Sequence, residues 1–236
     1  RDVDITNIRC VDPDCYSPAL AEPTKSQLTF GGADYVSLVG AEEDTGYEDN
    51  FTIEAWFKYD ASATMEYIYA ATSSDPAPYA HDRCFVTVDG SNNRPIVGHY
   101  IGSFVASTTS SPNTLVPDKW HHLKWEHKAG DGTQLLWIDG TPQVLTQSST
   151  STTSATGSRI GMLINGTFGF NGTIRKVIVG EHEYDFTKYF GRSTDEILIP
   201  SGRDGTIVTS SGLSTMWGTR WVNRVVGPDT SVVQYA

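Results

Sequence analysis

Three histidines within one short stretch, His121, His122 and His127, are the residues whose type most directly suggests chemistry. Adjacent residues on a strand point to opposite faces, so only His121 and His127 share a side, and no third ligand stands at a useful spacing. That pattern favours polar sheet histidines over a metal centre. Carboxylates come next. Retaining glycoside hydrolysis needs two of them about 5–5.5 Å apart. Glu54 stands alone on its segment, and Glu126 shares a face with Lys124 and His122, which is the pattern of an ion pair in a sheet. Calcium could draw on Asp34 and on Glu42, Asp44 and Asp49 in an acidic stretch, although a solvated acidic loop is the ordinary reading of such a run. No Gly-x-Ser-x-Gly elbow and no phosphate-cradling glycine loop is present.

Aromatic residues in loop-like segments are the better lead. Tyr79, His81, Tyr100, Trp217 and Trp221 lie outside the strongest core pattern, and flat rings beside hydrogen-bonding groups can grip sugars or anchor a protein partner. Trp217 and Trp221 could equally plug a C-terminal extension onto the domain. Asn50, Asn165 and Asn171 each begin a glycosylation sequon. Cys10 and Cys15 bracket Val-Asp-Pro-Asp, a loop that a disulfide could close in an oxidising compartment. Cys84 alternates with Val86 and Val88 and reads as a small buried hydrophobe. The odd count of cysteines leaves one thiol free or paired with another chain.

The balance of charge narrows the class of partner. A formal net charge of −11 opposes a phosphate backbone, so nucleic acid is not expected. Hydrophobic residues at 38% and charged ones at 19% exclude a disordered tail, and no apolar run has the length of a membrane-spanning helix. The 236 residues are enough for one large β domain. The chain opens on Arg1 without a methionine, which implies a removed targeting segment or a longer parent.

The elements that must position these residues read as strands. Phe51, Ile53, Ala55, Phe57 and Tyr59 alternate with Thr52, Glu54, Trp56 and Lys58, the pattern of a core antiparallel strand. Trp120 to Gly140 reads as two strands joined by a turn at Ala129 to Gly132. Leu123 and Trp125 share one face, while Trp120, His122, Lys124 and Glu126 share the other. Leu135 and Trp137 oppose Leu136 and Ile138, and apolar groups on both faces imply a strand covered on both sides. Asp139-Gly140 is a two-residue hairpin turn that needs positive φ at both positions, and it leads to a strand at Val144-Leu145. Leu28 to Phe30, a turn at Gly31 to Asp34, and Tyr35 to Val39 give a further strand, turn and strand. Glu66 to Thr72, Arg83 to Asp89, Ile96 to Val105, Arg159 to Ile164 and Phe170 to Val179 add more. The Ser/Thr-rich segments Ser107 to Ser111 and Ser148 to Ser158 are expected to be loops on one rim. Beyond Glu181, Tyr184, Phe186, Tyr189 and Phe190 are expected to pack back on the sheet, with short strands at Ile197 to Pro200, Thr206 to Thr209 and Thr219 to Val226.

Four pieces in order carry a family resemblance: Leu28-Thr29-Phe30-Gly31-Gly32-Ala33-Asp34-Tyr35-Val36, Phe51 to Lys58, Trp120-His121-His122 through Asp139-Gly140, and Phe170-Asn171-Gly172-Thr173-Ile174. Together they resemble the laminin G-like jelly roll of the concanavalin A-like superfamily, and the Trp-His-His strand is similar to copies in the tail or surface proteins of marine bacteriophages. The resemblance implies an all-β fold, an antiparallel β-sandwich of two stacked sheets, with irregular N- and C-terminal extensions. It also implies a departure, because Arg175 and Lys176 stand where many relatives carry acidic residues, and cations there oppose a calcium ion. Glucanases of the superfamily use alternating carboxylates on one strand, and that run is missing here. The expected organisation is an N-terminal arm or linker over 1–25, a jelly roll over 26–182 and a C-terminal extension over 183–236. The expected function is that of a non-catalytic surface module, not an enzyme, needing no cofactor. It would mediate attachment or structural contacts on a virion or other extracellular assembly. Its partners would be neighbouring subunits or surface glycans, with an oligomeric state and no membrane insertion. The alternatives are a soluble carbohydrate-binding lectin domain and, further off, a glycoside hydrolase.

Overall fold

Alternating sequence patterns become strands nearly everywhere in the computed structural model, which describes residues 27–38, 45, 49–72, 83–101, 104–129, 133–148, 157–163, 166–189, 196–197, 204–209, 225–226 and 232–233. The chain divides into two units, Ser26–Thr219 and a second made of Arg1–Lys25 with Arg220–Ala236.

In the first unit, one sheet runs in the order β1 (Leu28–Gly31), β13 (Asn171–Val179), β3 (Phe51–Tyr59), β8 (His121–His127), β9 (Gln134–Ile138), β10 (Thr141–Pro142), with β14 (His182–Asp185) also paired to β13. The other runs β11 (Thr146–Ser148), β7 (Phe104–Thr109), β6 (Arg94–Ile101), β5 (Arg83–Asp89), β4 (Met65–Thr72), β12 (Gly157–Ile160), β2 (Tyr35–Leu38), β16 (Gly205–Val208), β15 (Glu196–Ile197). All of these pairings are antiparallel. The two sheets form a sandwich of jelly-roll type. A single 3-10 turn, Phe186–Tyr189, is the one helical element among the described residues. Of the second unit, the described part is an antiparallel pair of short strands, β17 (Val225–Val226) and β18 (Val232–Val233).

The core lies between the sheets and follows the predicted alternation. Phe51, Ile53, Ala55, Phe57 and Tyr59 are buried from one side, as are Leu123 and Trp125 of β8 and Leu136 and Ile138 of β9. Cys84, Val86, Val88, Tyr69 and Ile160 meet them from the other. Complete burial pushes the Cys84 thiol up to about 12, so it behaves as the small hydrophobe its alternation implied. Tyr184 and Phe186 are fully buried in the same core, as expected of the segment after Glu181.

Several expectations need correction. β8 and β9 are buried on one face only, because the sandwich has two layers and their other face is its outside; Leu135 is 37% exposed. The stretch Ile96 to Val105 is two strands, β6 and β7, paired as a hairpin. Ser107 to Thr109 are not loop but part of β7, paired with β11, because a neighbouring strand satisfies their backbone whatever their polarity. Val144-Leu145 is not a strand; the chain leaves β10 after Pro142 and pairs again only at Thr146. Asp139 and Gly140 do take positive φ, 50° and 77°, closing the β9–β10 hairpin. The Gly31 to Asp34 turn carries the chain from one sheet to the other, since β1 pairs with β13 and β2 with β12.

Candidate functional site

The outward residues of the seven-stranded sheet form the richest surface. Register places Lys176, Trp56 and His122 in one row across β13, β3 and β8. The next row holds Ile178, Glu54, Lys124 and Trp137. Trp56 and His122 stack with ring centroids 4.1 Å apart and planes 15° apart. His122 Nε2 lies 2.9 Å from Glu54 Oε2. Lys124 Nζ pairs with Glu126 Oε1 at 2.8 Å, and this hydrogen bond holds the ammonium above the usual lysine range. Lys176 Nζ pairs with Glu183 Oε2 at 3.0 Å. Cations also sit over the indoles, Lys176 over Trp56 at 5.2 Å, Lys124 over Trp137 at 5.4 Å and Arg175 over Trp120 at 3.8 Å. The ion pair inferred for Glu126 is therefore present, with Lys124, while Glu54 takes its contact from His122 on the neighbouring strand. Among the described residues, three tryptophans, Trp56, Trp120 and Trp137, stand partly exposed on this one face.

The three histidines of the first lead part company. His121 braces the hairpin: its Nε2 accepts from Val116 N at 2.9 Å and lies 3.0 Å from Val116 O, and its Nδ1 lies 2.8 Å from Asp139 Oδ2. Asp139 Oδ1 accepts from His122 N at 2.7 Å. His127 turns inward against Phe51 and against His99, whose ring centroid is 4.3 Å away. His99 is fully buried, and burial followed by the nearby His127 holds its pKa well below the usual histidine range. Beside this pair an open cleft of about 410 Å³ is lined by Asn50, Thr52, Glu126, His127, Lys128 and Glu181.

Asp34 serves the turn rather than facing solvent: Oδ2 accepts from Gly31 N at 2.9 Å and Oδ1 from Thr209 Oγ1 at 2.8 Å. Asp49 is exposed, and among the described residues no group of three or more His, Cys, Asp or Glu could hold a metal ion. Asn50 is exposed with its carbonyl accepting from Ala129 N at 3.0 Å. Asn171 is tied down instead, its backbone N–H donating to Glu66 Oε2 at 3.1 Å and its Nδ2 to Glu66 Oε1 at 3.4 Å. Glu66 is fully buried, and burial raises its pKa. Tyr79, His81, Trp217, Trp221, Glu42, Asp44, Cys10, Cys15 and Asn165 lie outside the described residues, as does the side chain of Tyr100.

Sequence reasoning put the indoles of Trp56, Trp120 and Trp137 on strand faces but missed them as a site, because the search was for aromatics in loops. Their signal was available: each alternates with buried residues, and so must face outward. His99 and Glu66 were missed as well, since single polar residues inside apolar runs give no sign of their partners.

Residues 30–182 match the family model described as the concanavalin A-like lectin/glucanases superfamily, of the laminin G type. Among curated proteins none matches. A solved structure described as a putative carbohydrate binding protein from Bacteroides ovatus is 15% identical, with a TM-score of 0.51 over 78% of this chain and 58% of that one. The chain thus spans 58% of that protein's length. Domains LG4-5 of the mouse laminin alpha1 chain are 14% identical, with a TM-score of 0.47 over 68% of this chain and 43% of that one. The sialidase CBM40 of Ruminococcus gnavus bound to alpha2,3 sialyllactose is 11% identical, with a TM-score of 0.46 over 65% and 90%. With well over half of its length inside the family model and both sheets in place, this chain belongs to the laminin G-like family of the concanavalin A-like superfamily.

Proposed function

We propose that this protein is a non-catalytic recognition module, displayed on a virion or other extracellular assembly and mediating attachment through the outer face of its seven-stranded sheet. The observation that carries this reading is the set of three partly exposed indoles, Trp56, Trp120 and Trp137, each with a cation over its ring. Rings fixed on a rigid sheet lose little freedom on binding, and they offer flat apolar area beside hydrogen-bonding edges. The carboxylates of the face are engaged by His122, Lys124 and Lys176, which suits binding rather than bond cleavage.

Glycan-array binding by the purified chain, repeated with Trp56→Ala and Trp137→Ala, tests the attachment surface; retention of every signal in both variants would remove this face from the reading. Light scattering of the isolated chain tests display on an assembly, and a stable monomer that ignores its native assembly would count against it. A soluble lectin domain is the second reading, supported by the same rings. It predicts glycan binding by the monomer alone, and the loop candidates Tyr79 and Trp217 are its further substitutions.

A further inference from the structure

One corner of the aromatic face differs from the rest. Between Ile174 and Lys176 the β13–β3 register shifts, so Arg175 is the extra residue of a β-bulge. A bulge re-aims the side chain it carries. The Arg175 guanidinium lies 3.8 Å from the centroid of the Trp120 ring, and its Nε is buried with no hydrogen-bond partner among the described residues. Burial also holds it below the usual arginine range. No carboxylate pairs with it among the described residues, although the neighbouring cations Lys124 and Lys176 each have one. Lys58 follows Phe57, which is opposite His121, so it falls in the row of Trp120; it too lacks an ion pair among the described residues. Two uncompensated cations thus flank a partly exposed indole on a chain whose net charge is −11.

We propose that the Arg175–Trp120–Lys58 corner binds an oxyanion carried on a sugar ring. A guanidinium stacked on an indole keeps its in-plane N–H donors for a planar or tetrahedral oxyanion, and the indole offers the apolar contact that a pyranose face needs. A neutral sugar would leave both cations without a counter-charge. The inference rests on the attachment reading above and names the ligand class for its surface.

Retention of the full chain on three immobilised polymers tests it: polygalacturonate carries carboxylates, dextran sulfate carries sulfates, and dextran carries neither. The expected result is retention on an acidic polymer and not on dextran, with affinity reduced about tenfold or more by Arg175→Gln, the scale of a lost charge-assisted contact. Arg175→Lys, which keeps the charge and loses the fork, should give an intermediate loss at an unchanged melting temperature. Whichever acidic arm loses retention in Arg175→Gln identifies the oxyanion as carboxylate or sulfate. Failure of both acidic polymers, or equal retention of Arg175→Gln and wild type, overturns the proposal. Binding to neutral glycans that depends on Trp56 and ignores Arg175→Gln would overturn it while leaving the attachment reading intact.

Discussion

The outer faces of the two sheets are built on opposite plans. On the nine-stranded sheet Tyr67, Ala70, Phe85 and Ile96 form an apolar cluster that is closed over, with Leu163 packed into it. On the seven-stranded sheet the equivalent positions hold indoles and charges left partly open. Two arginines condense the contrast. Arg159 lies 4.1 Å from the Tyr35 ring and also reaches the Leu163 carbonyl at 3.4 Å. Arg175 lies over Trp120, and its Nε has no such acceptor among the described residues. The same stacked cation therefore fastens a loop on one face and remains available on the other. Closed apolar area stabilises the fold, whereas open aromatic area serves a partner.

The strongest way to break this contrast is to lift the segment that follows Leu163. A Cβ on Gly169 would run into the carbonyl oxygen of Gly32, a clash between two backbones with no flexible side chain to yield. Gly169→Ala should cost about 4 kcal/mol or more, read by urea denaturation. Phe85→Ala, in the closed cluster, should cost about 3–5 kcal/mol, while Trp56→Ala on the open face should cost about 1–2 kcal/mol and chiefly lose binding. Equal losses of stability would erase the distinction.

Histidines sharpen it further. His99 is buried neutral with a pKa held below its unfolded value near 6.5, so the stability this supplies is complete above about pH 6.5. It declines as pH falls below that value, because the unfolded chain then binds the proton that the folded chain refuses. The melting temperature should drop between about pH 6.5 and 5, with a shallower drop in His99→Leu. His122, on the open face beside Glu54, should matter least: His122→Ala is expected to change stability by about 1 kcal/mol or less.

Much of this architecture was legible in residue order. The five-fold alternation of β3 and the Asp139-Gly140 turn are local signals, and each alone constrains the backbone. Ser107 to Thr109 misled because small polar side chains look like loop until an adjacent strand is known. The bulge at Arg175 was illegible for a deeper reason. It is a slip between β13 and β3, and a slip is a property of two strands that neither sequence carries by itself. The candidate surface was legible only in part, since the alternation set Trp56, Trp120 and Trp137 on the face opposite Phe57, Leu123 and Leu136, but the strands of Trp120 and Trp137 were read as covered on both sides. Only strand order brings them onto one plane.

The pairing of the earliest strand with a late one also sets the order of events at the ribosome. Leu28 takes its hydrogen-bonding neighbour from around Ile174, and Ile53 from around Val179. The first half of the chain therefore emerges with its apolar edges bare and must wait for the second before either layer can close. A nascent protein of this topology spends its synthesis time exposed, and chaperone demand should track translation speed rather than final stability.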